Sequence, residues 1–297
     1  MTLRIGTRRS KLALAQANEI AAGLRAHGVD SQLVPMTTSG DRGVDPSADP
    51  AGLKGLFVAE IVRALRDGDI DLAVHSAKDL PADEEEDLVI AAVPERASPL
   101  DVLVTRDGEL APGGRVGTSS LRRRAQVFRW RPDVTVKDLR GNVDTRLRKL
   151  ADGEADALVL AAAGLMRLGV VPEHAAPMSI AEMVPAPGQG CLAVQARRDD
   201  IAALEAVTTL DNTPSRTALE AERGLMARLG GGCALPLGAF AEPVTAGVRM
   251  VAIVLTADGG RAASAEVVAP SPAEAAEQAL RDLLAGGADE ILSAVRP

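Results

Sequence analysis

A carboxylate, a thiol and a run of arginines are the groups in this sequence that can do chemistry. Asp79 stands in His75-Ser76-Ala77-Lys78-Asp79-Leu80-Pro81, directly after the apolar stretch Ile70 to His75. A strand over that stretch delivers the turn to the edge of an open α/β sheet where ligands bind. A carboxylate there can steady a cation or move a proton. Read alone, the segment is described more simply by a solvated loop acid. Cys233 lies in Gly231-Gly232-Cys233-Ala234-Leu235-Pro236. Glycines allow close approach, and a thiol near cations can ionise to a nucleophile. A buried apolar thiol is the other reading, and it suits Cys191, in Gly190-Cys191-Leu192-Ala193-Val194, better.

Between Arg115 and Leu150 there are eleven Lys or Arg against three Asp, so this segment carries +8 in a chain of −8 and the remainder carries −16. A solvated basic face is one reading. The other is a polyanion site of limited size, because guanidinium forks suit carboxylates and phosphates. The acidic remainder repels a long nucleic acid, so a small, multiply charged ligand fits better. In Gly117-Thr118-Ser119-Ser120-Leu121-Arg122-Arg123 a glycine turn, capping hydroxyls and a helix start adjoin two arginines. Free N–H groups and the helix dipole make such an end an anion site. Leu139-Arg140-Gly141-Asn142-Val143-Asp144-Thr145-Arg146-Leu147 repeats the design.

The elements that must position these groups alternate. Leu3–Thr7, Gln32–Met36 and Ile70–His75 read as strands; Ser10 caps a helix through about Ala26, and Leu56–Arg66 forms another. Residues 37–55 form a Gly/Pro-rich loop without periodicity, a length that is usually functional or mobile. The pattern recurs from Gly114, with a helix capped by Ser119 or Ser120, a strand Val134–Lys137, a helix Thr145–Asp152, a strand Ala157–Ala162 and a helical Gly164–Leu168. Alternation of this kind predicts parallel strands. The C-terminal third differs: a helix Ser215–Leu229, a glycine break, three strands and a terminal helix Pro272–Leu284 read as a separate α+β module. Asp83–Asp87 reads as a solvated acidic loop. With 297 residues, the length prior is about two domains. Aromatics are 1% with no Tyr, which excludes repeated base stacking. Two cysteines and three histidines support neither a disulfide framework nor a four-ligand zinc site. No stretch reaches a membrane span and the N-terminus lacks a secretory apolar region, so a cytoplasmic protein is expected.

Taken in order, the segments resemble one family nearly end to end. They are Arg4-Ile5-Gly6-Thr7-Arg8-Arg9-Ser10, Lys54-Gly55-Leu56-Phe57, Val74 to Pro81, Val116 to Arg123, Leu139-Arg140-Gly141-Asn142-Val143, Ala163-Gly164-Leu165, Pro187-Gly188-Gln189-Gly190 and Gly231-Gly232-Cys233. The chain is similar to the porphobilinogen deaminases, also called hydroxymethylbilane synthases. The resemblance implies an α/β fold of three domains. The first two are like the lobes of a type II periplasmic binding protein, and the third is small and α+β. The corresponding boundaries are 1–95 plus 189–210, 98–186 and 213–297, one domain more than the length prior.

The resemblance further implies a deaminating transferase of tetrapyrrole (heme) biosynthesis that joins four porphobilinogens head to tail into hydroxymethylbilane, losing ammonia each time. It implies a dipyrromethane cofactor, thioether-linked to Cys233, and Asp79 as the catalytic carboxylate. Ser10, Lys78, Asp79, Thr118, Ser119, Arg122, Arg123, Arg140 and Gln189 correspond to cofactor-binding positions. Arg8, Ser10, Lys54, Phe57, Arg140, Arg146 and Arg167 correspond to substrate-binding positions. Arg9, Arg124, Arg129, Arg131, Arg148 and Lys149 are expected to be solvated. No metal, nucleic acid, membrane or obligate protein partner is implied, and a monomer is expected. Three departures stand out: Ser47–Leu53 lacks a lysine many relatives carry, Cys191 replaces a usual Ala, and Gln195 replaces a common Glu. The rival reading is a non-catalytic anion sensor or solute-binding protein on the same two-lobed fold.

Overall fold

The computed structural model describes residues 2–37, 50–82, 85–230 and 235–294, except the side chains of 50–57. The chain starts with β1 (Leu3–Arg8), α1 (Lys11–Ala26), β2 (Ser31–Met36), α2 (Pro50–Arg66) and β3 (Leu72–Ser76). Ser10 caps α1 by accepting a hydrogen bond from the Ala13 N–H, and α1 buries Ala17, Ile20, Ala21 and Leu24 on one face. Helix α2 begins at Pro50 rather than Leu56; proline suits the first helical turn because its missing N–H has no partner there.

Strands β4 (Leu88–Ala92) and β10 (Leu192–Arg197) complete the first sheet in the order β2-β1-β3-β10-β4. β1 runs parallel to β2 and β3, as alternation predicts, but β10 is antiparallel to both β3 and β4. The sheet is therefore mixed. β10 arrives after a long excursion and needs no helical crossover to enter between its neighbours.

That excursion builds a second sheet on the same plan. β5 (Asp101–Thr105), β6 (Arg115–Gly117), β7 (Thr135–Lys137), β8 (Ala157–Ala161) and β9 (Ala175–Pro177) stand in the order β7-β6-β8-β5-β9. Its parallel trio is β6, β7 and β8, and β5 is antiparallel to β8 and β9, so β5 takes the place that β10 has in the first sheet. Helices α3 (Leu121–Trp130), α4 (Val143–Ala151) and α5 (Ala162–Arg167) connect or follow these strands. After α6 (Ile201–Thr208), the chain forms α7 (Thr213–Arg228), the antiparallel meander β11 (Leu237–Val244), β12 (Gly247–Leu255) and β13 (Ala262–Ala269), then α8 (Pro272–Ala285) and α9 (Ala288–Ser293). β13 buries every second residue, the period of a sheet with one wet face. Among the described residues no helix is long and apolar enough to cross a membrane.

The two lobes are joined by two crossings, around Ala97 and around Gly190. They touch: a Cβ on Gly190, whose φ is +90°, would lie 2.3 Å from the Ala97 carbonyl oxygen. Only glycine fits there. Glu222 of α7, fully buried, clamps the junction. Its carboxylate accepts from Arg96 Nη1 at 2.7 Å and Nη2 at 3.2 Å, from the Gly188 N–H at 2.6 Å and from the Ala241 N–H at 2.7 Å. Arg96 in turn donates from Nε to the Gln189 carbonyl at 2.9 Å.

Glu222→Gln should lower unfolding free energy by about 3–5 kcal/mol, because a buried guanidinium loses its counter-charge. Arg249→Ala, which breaks a half-exposed pair with Glu266, should cost no more than about 1 kcal/mol. Urea unfolding of both variants checks the contrast.

Candidate active site

The C-terminal ends of β1 and β3 open on a cavity of about 190 Å³ whose polar wall is Arg8, Ser10, Gln16, His75, Ser76 and Asp79. β1 delivers Arg8 at its last position, and β3 runs into a 3-10 turn, Ala77–Asp79, that carries Lys78 and Asp79. Gln16 of α1 donates to the Ser76 hydroxyl at 2.7 Å, tying helix to strand below the turn. Val58 and Ile61 of α2 close the apolar side. Behind the turn, Gly188 has φ +73°, and a Cβ there would meet Lys78 N at 3.0 Å. The second crossing thus rests on the Ala77–Lys78 peptide.

From this turn a chain of hydrogen bonds enters the second lobe. Lys78 Nζ reaches Gln189 Oε1 at 3.5 Å, and Gln189 Nε2 donates to Asp101 Oδ1 at 3.0 Å and to the Pro99 carbonyl at 2.7 Å. Asp101, fully buried, receives Arg122 Nη2 at 2.7 Å and Arg123 Nη2 at 2.7 Å. Burial alone would raise its carboxyl, but the two guanidiniums outweigh that and hold it far below the usual carboxylate range. Arg122 also donates to the Val184 carbonyl at 2.6 Å. Its charge and its donors serve the protein's own framework.

Ser120, the later of the two expected caps, accepts from the Arg123 N–H and starts α3. Thr118 is buried, its hydroxyl accepting from the Ser120 N–H at 3.2 Å. Arg146, in the first turns of α4, donates from Nε to the Gly141 carbonyl at 2.8 Å and from Nη2 to Ser119 Oγ at 3.3 Å. Burial and the facing charge of Arg123 push the Arg146 guanidinium down to about 10. Arg146 is thus a cation in a place that disfavours its charge, and an incoming carboxylate would relieve it. Arg140 is exposed and paired with Asp138 at 3.1 Å.

Two models of one family match this chain in tandem. Residues 3–205 match the model described as porphobilinogen deaminase, dipyromethane cofactor binding domain, and residues 217–284 match its C-terminal domain. The chain belongs to the porphobilinogen deaminase family. Among curated porphobilinogen deaminases, that of Brevibacillus brevis is 42% identical over 98% of this chain and 97% of its own length. That of Syntrophotalea carbinolica is 45% identical over 99% and 96%, and that of a Roseiflexus species 51% over 81% and 82%. Of solved structures, the methionine-binding protein MetQ aligns at 14% identity and a TM-score of 0.42, over 70% of this chain and 89% of that one.

Within the deaminase frame, the site residues expected from sequence fall into three groups. Arg8, Ser10 and Asp79 share the cavity, and Lys78 adjoins it through Gln189. Ser119, Arg123 and Arg146 form the cationic side, with Arg140 at its rim. Arg122 and Arg167 are bonded to the protein's own groups. Arg122 is consumed by Asp101 and Val184. Arg167 is buried against Glu19 at 2.9 Å and the Gly190 carbonyl at 3.2 Å, where it ties α1 to the second lobe. Cys233 and the side chains of Lys54 and Phe57 lie outside the described residues, as do 38–49 of the expected loop. Cys191 is buried, and burial pushes its thiol up to about 12, matching the inert reading. Glu85 and Asp87 of the acidic stretch hold Arg66 rather than being merely solvated. Arg131, expected in solvent, pairs with Asp133 at 2.7 Å.

Gln16, Ser76 and His75 of the cavity, and Asp101 behind the arginines, were not singled out by type and spacing. Gln16 sits one turn and a half after the Ser10 cap on the face of α1 that packs on the sheet, and that face was the available signal. Arg122→Leu should lower stability by about 1–3 kcal/mol, because Asp101 loses one of its two guanidinium partners and the Val184 carbonyl a buried donor. Arg140→Leu should leave unfolding within about 0.5 kcal/mol while weakening carboxylate binding. Denaturant unfolding beside substrate saturation curves separates the two.

Proposed function

We propose that Asp79 is the catalytic carboxylate and Cys233 the cofactor anchor of a porphobilinogen deaminase. The enzyme condenses four porphobilinogens, with loss of ammonia, into hydroxymethylbilane. The observation that carries this reading is the hydrogen-bond chain from the Lys78–Asp79 turn through Gln189 to the arginine side. It places one carboxylate beside a cavity and excess cations beyond it. A substrate with two carboxylates and a nitrogen that must turn cationic needs that polarity.

The residues present suit a dipyrromethane group, since Arg146 bonds to uncharged groups among the described residues, the Gly141 carbonyl and the Ser119 hydroxyl, beside the charge of Arg123. Arg123, Arg146, Ser119 and Arg140 would hold its acid side chains. When bound, the group supplies a fixed pyrrole terminus to which each new ring is joined. A covalent anchor makes successive additions intramolecular. Asp79 stabilises positive charge as it develops on the substrate's pyrrole nitrogen, and a fixed carboxylate in a sheltered cavity does this without reorganising. It also accepts a proton at its carboxylate oxygen. Arg8, on the opposite strand end, offers a fork to a substrate carboxylate and orients the ring. The reading assigns Asp79 to a domain formed by 1–95 and 189–210, the arginines to 98–186 and the thiol to 213–297, in a cytoplasmic monomer.

Asp79→Asn keeps shape but removes charge, and should reduce turnover by about 10²-fold or more, with Asp79→Glu retaining part. Near-normal turnover by Asp79→Asn would move the role elsewhere. Intact-mass measurement of denatured active protein should show an adduct of two porphobilinogens less two ammonias, mapped by peptide analysis to Cys233. An unmodified mass, or an adduct on Cys191, would overturn the anchor.

A further inference from the structure

His75 is a polar cavity residue to which the roles above give no task. Its side chain is 6% exposed, it lines the same cavity as Asp79, and its Nε2 is buried with no hydrogen-bond partner among the described residues. On the neighbouring strand, Gln195 is 7% exposed and its Oε1 is likewise buried without a partner. Ala193 of β10 pairs with His75 of β3, so Gln195, two residues on, shares the His75 face of the sheet. Buried polar atoms left unbonded are costly and rare. Two of them on one sheet face, a donor-capable ring nitrogen and an amide oxygen, are diagonal neighbours within reach of long side chains.

We propose that His75 is a neutral hydrogen-bond acceptor for the substrate's departing nitrogen, held in a single tautomer by Gln195 and acting beside Asp79. The amide oxygen of Gln195 accepts only, so it favours the tautomer with hydrogen on Nε2. That leaves the Nδ1 lone pair as the acceptor the ring can offer a ligand in the cavity. The substrate's aminomethyl nitrogen leaves from its ammonium form: the C–N bonding pair departs with nitrogen as neutral ammonia, its three hydrogens stay on it, and the positive charge passes to the pyrrole. A neutral ring that accepts a hydrogen bond from one of those N–H groups holds the C–N bond in the orientation for cleavage without taking the proton.

A charged imidazole would donate instead, and would oppose the cation left on the pyrrole. The surroundings keep the ring neutral. Burial pushes His75 down to about 4, against the opposing pull of the Asp79 charge and the Gln195 amide. The other groups packed around it are Arg8 from β1, Cys191 beside β10, and Val58 and Ile61 from α2. Beyond Gln195 lie Arg223 and Glu85. Asp79 and the Gln195 amide favour a proton on the ring, and burial outweighs both.

This inference rests on the Asp79 reading, and imidazole NMR of histidine-labelled holoenzyme tests it separately. Between about pH 5 and about pH 8, His75 should stay neutral in the Nε2–H tautomer. Gln195→Leu should give mixed tautomers. Porphobilinogen added to the slow Asp79→Asn holoenzyme should shift the His75 Nδ1 resonance. In the wild-type background, His75→Phe should lower kcat about tenfold with KM within about twofold, and His75→Asn should recover part of the loss. A ring that titrates above about pH 6, a resonance indifferent to porphobilinogen, or a folded His75→Phe with full kcat would overturn the proposal. If His75→Phe does not fold, the resonance and His75→Asn decide. Normal turnover by Asp79→Asn would defeat the Asp79 reading while leaving the neutral, tautomer-fixed ring intact.

Discussion

One buried carboxylate ties both crossings between the lobes to the third sheet. Glu222 accepts hydrogen bonds from the chain leaving the first lobe, from the chain returning to it, and from the first strand of the third sheet. Four donors satisfy a charge that could not otherwise sit at zero exposure. The pair it makes with Arg96 adds less net stability than its bonds suggest, because desolvation offsets much of the attraction. What it specifies is position. Gly188, one of its donors, packs on the Ala77–Lys78 peptide, so the turn that carries Asp79 and the third sheet share a reference point.

The arginine side shows the opposite use of charge. Counted along the sequence, residues 115–150 carry a large positive excess. Counted in space, much of it is spent on acids from outside that segment: Asp101 takes Arg122 and Arg123, and Asp156 takes Arg115. Those pairs fix the walls. The cationic demand then concentrates on Arg146, where burial and the neighbouring charge of Arg123 leave an unmet preference for an anion. A few poorly compensated guanidiniums recognise a multiply charged acid more selectively than a broad basic face, which would attract any polyanion.

This distribution explains what was legible in the sequence. Local signals read well. The Ser10 cap, a cap at Ser119 or Ser120, the buried strand before Asp79, the inert Cys191 and the three strands of the third sheet follow from rules spanning a few residues. Signals that depend on distant partners did not read. β10 and β5 enter their sheets from the far side of a crossing, and nothing in Leu192–Arg197 names β3 and β4 as neighbours. Arg122 and Arg123 look alike in sequence, and only the position of Val184 makes the first wholly structural. Arg167 pairs with Glu19, 148 residues earlier, and no local signal marks that pairing.

The placement of β10 also bears on how the chain is made. It lies inside the first sheet, between β3 and β4, yet the ribosome adds it only after the whole second lobe. Until Arg197 emerges, β3 and β4 have an empty lane between them and the first lobe exposes unpaired backbone. The inserted lobe, whose strands all lie within residues 101–177, has no such dependence and can close as soon as it is synthesised. Synthesis order and folding order are therefore reversed. The lobe that begins the chain is completed late, by long-range pairings that carry a high loop-closure cost. In that interval a holding chaperone has the most to protect.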